Sequence, residues 1–206
     1  MIIGFAHICL NTASVTEAVT PLIEQGYKIS GKFIAVPSAS EKWSLLSRPA
    51  TRHDLILLEG PLPIEVVKHD TSTYGKDSNL NITEDYSSLV LSARDEVSEQ
   101  AFMTLLGFQP LADGSLKLKS QFSQWSVQLK FSAKARAAAD PMLDVDGFSC
   151  LAFYSTDPIE DGERLKAAGA RDITNAFSIV LGKRSMSIIM LRSPEGIIIE
   201  LIKVLR

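Results

Sequence analysis

Three glycines placed at one fixed interval behind three strand-like runs constrain this chain more than any other feature. His7 stands to Gly26 as Ser88 stands to Gly107 and as Cys150 stands to Gly169. Such self-similarity marks a fold built by repeating one supersecondary unit. The first copy opens on FAHICLN from Phe5 and continues into Ser14 to Gln25, where Val15, Ala18, Val19, Leu22 and Ile23 fall at helical spacing. The second opens on YSSLVLS from Tyr86, followed by a helix from about Glu96 with Val97, Ala101 and Leu105 on one face. The third opens on FSCLAFYS from Phe148, and its helix begins at Asp157-Pro158. Ser14 with Glu17 and Asp157 with Glu160 match the capping-box spacing, and each closing glycine suits the left-handed position that ends a helix. Pro21 lies inside the first helix, which predicts a kink or a shortened helix there.

Two or three strands follow each helix. They are Lys28 to Ala35, HDLILLEG and IEVVKH in the first copy, with an insertion that includes Trp43 to Leu46; SLKLKS and WSVQLKF in the second; SIVLG, SMSIIMLRS and GIIIELIKV in the third. Each copy therefore reads as a β-α-β-β-β module and the fold class as α+β. A helix covers only one face of such a sheet, so a module must pair with another. Two modules facing each other enclose a curved, barrel-like cavity lined by alternate residues of every strand, and a ligand belongs there. A polar, turn-rich linker, KHDTSTYGKDSNLNITED, separates the first copy from the rest, and AKARAAADPMLDVDG separates the second from the third.

Composition narrows the function classes. The formal net charge of −3 and the absence of a Lys/Arg cluster argue against a nucleic-acid partner. No apolar run approaches the ~18 residues of a membrane span, and the start MIIGFAHICLNT lacks a charged leader, so the expectation is a cytoplasmic protein. Cys9 and Cys150 sit in apolar runs and read as reduced, buried thiols. The chain has no Gly-rich phosphate loop, no G-x-S-x-G elbow and no CxxC or HExxH pattern. Phosphoryl transfer, serine hydrolysis and nicotinamide chemistry thus lose their usual signals. His53 and His69, beside Asp54 and Asp70, are weak metal candidates of a kind common in loops.

The residues LRSPEGIIIEL (191–201), LKAAGA (165–170) and FMTLLGFQPL (102–111) resemble the vicinal oxygen chelate superfamily, which contains glyoxalase I, extradiol dioxygenases and bleomycin resistance proteins. The resemblance implies a glyoxalase-like curved-sheet domain over 85–206 made of two modules, 85–132 and 147–206. A 71–84 linker precedes it, and 1–70 forms one additional N-terminal module.

In that family a divalent metal is held by a residue on the first and one on the last strand of each paired module, often His and Glu. The matching positions here are His7 and Glu65, Ser88 and Gln128, and Cys150 and Glu200. Ser88, Gln128 and Cys150 are poor ligands, so the resemblance implies a metal-free cavity between copies two and three, lined by Trp125, Gln128, Cys150 and Tyr154. His7 and Glu65 form half of the familiar site. Glu200 and Cys150 complete it within the chain, or a second subunit does so across a two-fold axis. Read as ordinary structure, His7 is a core histidine and Glu65 a strand-end carboxylate.

Two functions follow from the resemblance. One is a metal-dependent isomerase, lyase or dioxygenase of a small oxygenated metabolite. Its ligands would be His7, Glu65 and Glu200, its ion zinc, iron, manganese, nickel or magnesium, and its base Glu200 or Glu59. The other is a metal-free small-molecule-binding protein of the drug-sequestering type. Three modules are an odd number, which leads to the expectation of a homodimer.

Overall fold

A computed structural model describes residues 1–73, 88–119, 126–132 and 141–205. Its elements run β1 (Ile2–Asn11), α1 (Val15–Glu24), β2 (Lys28–Pro37), β3 (Arg52–Glu59) and β4 (Ile64–His69) in the first copy. The second holds β5 (Ser88–Ser92), α2 (Glu96–Leu105), β6 (Gln109–Pro110), β7 (Leu116–Lys119) and β8 (Ser126–Ser132). The third holds β9 (Gly147–Ser155), α3 (Pro158–Ala167), β10 (Phe177–Leu181), β11 (Arg184–Arg192) and β12 (Ile198–Leu205). A strand, a helix and three strands thus recur in the same order in each copy.

Of the two caps expected from the sequence, Asp157 acts as one and Ser14 does not, while Asp95 caps the remaining helix without having been singled out. Asp95 and Asp157 accept hydrogen bonds from first-turn amides of α2 and α3, whereas Ser14 makes no such side-chain bond to α1. Gly26, Gly107 and Gly169 have φ of +93°, +101° and +97°, the left-handed closure that their spacing predicts. Pro21 does not shorten α1, which continues to Glu24 and spans ten residues like α2 and α3.

The pairing of copies differs from the sequence expectation. The larger sheet has eight strands in the order β10-β11-β12-β9-β1-β4-β3-β2, so the first copy pairs with the third. The second copy forms its own four-stranded sheet, β5-β8-β7-β6. The single curved sheet expected over 85–206 is therefore replaced by one built from the two ends of the chain. Alternation explains why. In β7 and β8, Leu116, Leu118, Val127 and Leu129 are buried, while Lys117, Lys119, Gln128 and Lys130 lie on the other side and are exposed or partly so. Such a sheet has one apolar face to cover. In β9, β11 and β12 consecutive residues are buried, as in Cys150 to Phe153, Ile188 to Arg192 and Ile198 to Ile202. Those strands require cover on both faces.

The two covers are separate cores. One gathers Val19 and Leu22 of α1, Leu165 of α3, and Phe102, Met103, Leu106, Leu116 and Leu129 of the second copy against Phe5, Ile8, Phe153 and Leu201 of the larger sheet. The second copy thus packs on the helix-bearing face of the sheet. The other core holds Cys9, Leu55, Val67, Cys150, Met190, Ile198 and Ile202 on the opposite face.

The insertion after β2 includes a short 3-10 helix over Ser40–Leu45. It is tied to the segment before β9 by Leu143 N–H donating to Leu45 O at 2.8 Å and by Ser47 donating to the Asp144 carboxylate. That places the insertion beside the second core.

Gly60 lies against the buried ring of Tyr27, and a methyl group there would enter the ring. Gly60→Ala is expected to lower stability by about 1–3 kcal/mol through overpacking, read as a lower urea midpoint. Among the described residues no helix is long and apolar enough to cross a membrane.

Candidate metal centre and its cavity

β1 and β9 run antiparallel at the centre of the larger sheet, with His7 opposite Ala152 and Cys9 opposite Cys150. β4 lies parallel to β1 with Glu65 beside Cys9, and β12 lies parallel to β9 with Glu200 beside Ala152. This register brings a first strand and a last strand from each of the two copies to one patch of one face. Period-two alternation does the rest: His7 and Cys9, Glu65, Val67 and His69, and Glu200 and Ile202 all line the same cavity.

The cavity has a volume of about 440 Å3, in the range of small-molecule sites, and its wall is mainly apolar, with Phe33, Leu55, Phe177, Ile188 and Met190 among the lining residues. At its floor, His7 Nε2 stands 3.7 Å from a carboxylate oxygen of Glu65 and 3.7 Å from one of Glu200. The three side chains are only 11–14% exposed. With Cys9 Sγ they form four donor atoms within 4.8 Å of one another.

The residues fit a divalent ion. Buried His7 Nε2 has no hydrogen-bond partner among the described residues, although it faces two carboxylates. Its separation of 3.7 Å from each is about 0.3 Å wider than the roughly 3.4 Å between ligand atoms that stand about 2.1 Å from a tetrahedral zinc. One imidazole and two carboxylates are donors of the borderline-to-hard kind that such ions take. Cys9 plays a different part, since its thiol donates to Glu65 Oε1 at 3.0 Å and so carries its proton.

The electrostatics agree with a site short of positive charge. Burial pulls the His7 imidazole down, but the Glu65 carboxylate and polar contacts with Cys9 and Glu200 outweigh it and raise the pKa well above the usual value. Burial, together with the charge of Glu200, pushes Glu65 upward. Contact with Cys150 and then burial raise the Cys9 thiol.

The other named residues are placed as follows. Glu200 of the third copy meets His7 and Glu65 within one chain, without a second subunit. Cys150 lines the cavity but is not among the four clustered donors. Tyr154 lines it and is 41% exposed at its mouth. Glu59, at the end of β3, also lines it and is exposed. Gln128 does not line it. It lies on β8 in the separate sheet, where its amide donates to Ser115 Oγ at 2.7 Å, so the expected cavity between copies two and three is displaced to copies one and three. Trp125 lies outside the described residues.

Four cavity residues were not placed there from the sequence, where Cys9 reads as a buried thiol, His53 and His69 read as weak loop-type candidates, and Lys42 is not singled out. Cys9 follows His7 by two positions, the strand period, and parity alone would have placed it on the same face. His53 and His69 are cross-strand partners on β3 and β4, each 4% exposed, with ring centroids 5.5 Å apart. Both share parity with Leu55 and Val67 along their strands, which marks them as interior rather than loop residues. A fourth, Lys42, comes from the insertion and carries no period that would reveal it.

No family model matches the chain, and no curated protein does. Among solved structures it is similar to methylmalonyl-CoA epimerase from Mycobacterium tuberculosis, at 12% identity and a TM-score of 0.44, over 98% of this chain and 87% of that one. It is also similar to glyoxalase I from Zea mays, at 12% identity and a TM-score of 0.41, over 98% of this chain and 68% of that one. A hypothetical protein from Bacillus halodurans gives 13% identity and a TM-score of 0.42, over 96% of this chain and 91% of that one. At TM-scores below 0.5, the functional reading stands on strand order and site geometry rather than on these neighbours.

Proposed function

We propose that this chain is a metal-dependent enzyme of the vicinal oxygen chelate type, acting on a small oxygenated metabolite in the cavity between its first and third copies. The observation that carries the reading is the convergence of His7, Glu65 and Glu200 from three different strands on one buried point, at the floor of a cavity with space for a ligand. His7, Glu65 and Glu200 would hold the ion. A divalent ion there supplies a fixed positive charge against which a developing negative oxygen on the substrate is stabilised.

The chain's own residues do the remaining work. Apolar side chains such as Phe33, Phe177 and Met190 exclude water and strengthen each polar contact inside. Glu59 stands at the cavity lining outside the ligand cluster, exposed enough to exchange protons with solvent, and serves as the base that moves a substrate proton. Cys9 holds Glu65 Oε1 through its thiol and orients that carboxylate toward His7.

Elemental analysis of the purified, untagged protein tests this. The wild type is expected to carry close to one divalent ion per chain. His7→Ala is expected to lose it, with affinity reduced more than the roughly 10–100-fold that supporting residues around a metal typically contribute. A wild type with no metal after attempted reconstitution would reject the reading in favour of metal-free ligand binding.

A further inference from the structure

The cavity has a second polar end that the ion site does not use. Lys42, from the 3-10 helix of the insertion, is 5% exposed and lines the cavity with His53 and His69. Its ammonium lies 3.3 Å from His69 Nε2. An ammonium group only donates, so Nε2 accepts, and His69 is a neutral imidazole with its proton on Nδ1. That proton goes to Asn11 Oδ1 at 3.1 Å, which also accepts from Ser72 Oγ at 2.9 Å. The chain Lys42–His69–Asn11–Ser72 therefore fixes the position of the ammonium while leaving its other protons free.

Lys42 lacks the partner that a buried cation requires. Among the described residues no carboxylate lies within ion-pair distance of it, and its only hydrogen-bond partner is the neutral His69. Buried charges are paired in folded proteins because desolvation without compensation costs several kcal/mol. Burial lowers the Lys42 pKa, and the more distant charges of Glu200 and Glu65 offset this only in part. Beside it, His53 Nδ1 is buried with no hydrogen-bond partner among the described residues. A fixed ammonium and an unpaired imidazole nitrogen thus line one cavity, both short of a partner.

We infer that Lys42, held in position by His69 and flanked by His53, is the anchor for a carboxylate on the substrate, so that the cavity takes a small organic acid whose second oxygen function reaches the His7–Glu65–Glu200 cluster. The inference rests on the proposed use of this cavity as the substrate site. Charge supports it further. The two carboxylates of the cluster match a divalent ion, and the charge of Lys42 is then the one left for a substrate anion. The ligand has a defined form: an acid group at one end, a carbonyl or hydroxyl at the other, and an apolar middle matched to the Leu55, Phe177 and Met190 wall.

Calorimetric titration of the intact protein with 4-oxopentanoate and 5-oxohexanoate, against their uncharged methyl esters, tests this. The acids are expected to bind roughly 10- to 100-fold more tightly than the esters, the range of one charge-assisted hydrogen bond. Lys42→Met should abolish the preference at unchanged metal content, and Lys42→Arg should retain part of it. No acid preference in the wild type, no binding of either acid, or an equal preference in Lys42→Met overturns the inference. Metal content measured on the same samples separates the two readings. A protein with metal and no acid preference loses only the anchor; one with a Lys42-dependent preference and no metal loses only the metalloenzyme.

Discussion

Acidification is expected to unfold this protein through two imidazoles that stay neutral while the native state lasts. Burial, and then the neighbouring Lys42 ammonium, lower His53 to about 3. The same two causes, followed by the repulsion His53 would exert once protonated, lower His69 to about 2. In the unfolded chain both titrate near 6.5, so below that pH the unfolded state takes up protons that the native state refuses. The contribution is fully present above about pH 6.5 and is lost as the pH falls toward 3. Each imidazole removes up to about 1.4 kcal/mol per pH unit, so the pair removes up to about 2.7 kcal/mol per unit. Two units below 6.5, the loss is about 5 kcal/mol, the lower end of a domain's whole stability. Urea midpoints taken from pH 8 to pH 4 should fall steeply below 6.5. The double variant His53→Gln, His69→Gln, which keeps an acceptor for Lys42, should flatten that slope. A slope unchanged in the double variant would assign the acid sensitivity to other groups. Asp70, lowered by its hydrogen bonds from Thr51, loses its contribution only near the carboxylate range and so falls in a separate window.

Much of this architecture could be read from the residues, because helix ends and strand faces obey local rules. The spacing of Gly26, Gly107 and Gly169 located all three helix ends, and each adopts the backbone conformation that only glycine takes without strain. His7, Glu65 and Glu200 were legible as strand positions, and the register of β1, β4 and β12 brings them to one point. The choice of partner between copies was not read correctly, although the sequence carried a signal for it. LKLK and SVQLK alternate and need cover on one face only, whereas SIIMLR and GIIIEL are apolar on consecutive positions and need it on both. The family resemblance of 85–206 implied pairing copies two and three; two-sided burial pairs one and three. Lys42 stayed hidden for a different reason. It sits in an insertion of six-residue 3-10 helix, where neither the strand period nor the helix period fixes direction, and a lysine is exposed by default.

Replacing Phe153 with alanine is expected to remove about 3–5 kcal/mol, the cost of a large aromatic cavity, and to show how the odd copy is attached. Phe153 is fully buried on β9, the strand at the junction of the first and third copies. Its ring meets Phe5 of β1 edge-on, with centroids 5.5 Å apart and planes at 80°. It also meets Phe108, which follows α2 in the second copy, at 6.3 Å and 73°. One side chain therefore joins all three copies. If the second copy is held to the sheet through this ring, Phe108→Ala and Phe153→Ala should not be additive. Their double variant should cost less than the sum by the roughly 0.5–1.5 kcal/mol of an edge-to-face pair plus the shared cavity. Chemical denaturation of the four proteins in the cycle measures this, with Phe153→Leu as a volume-sparing control expected to cost less than half as much. Strict additivity would mean that the second copy docks through Phe102, Met103 and Leu106 instead. A single cooperative transition in every variant would show that the two sheets fold as one unit, as a core shared by all three copies requires.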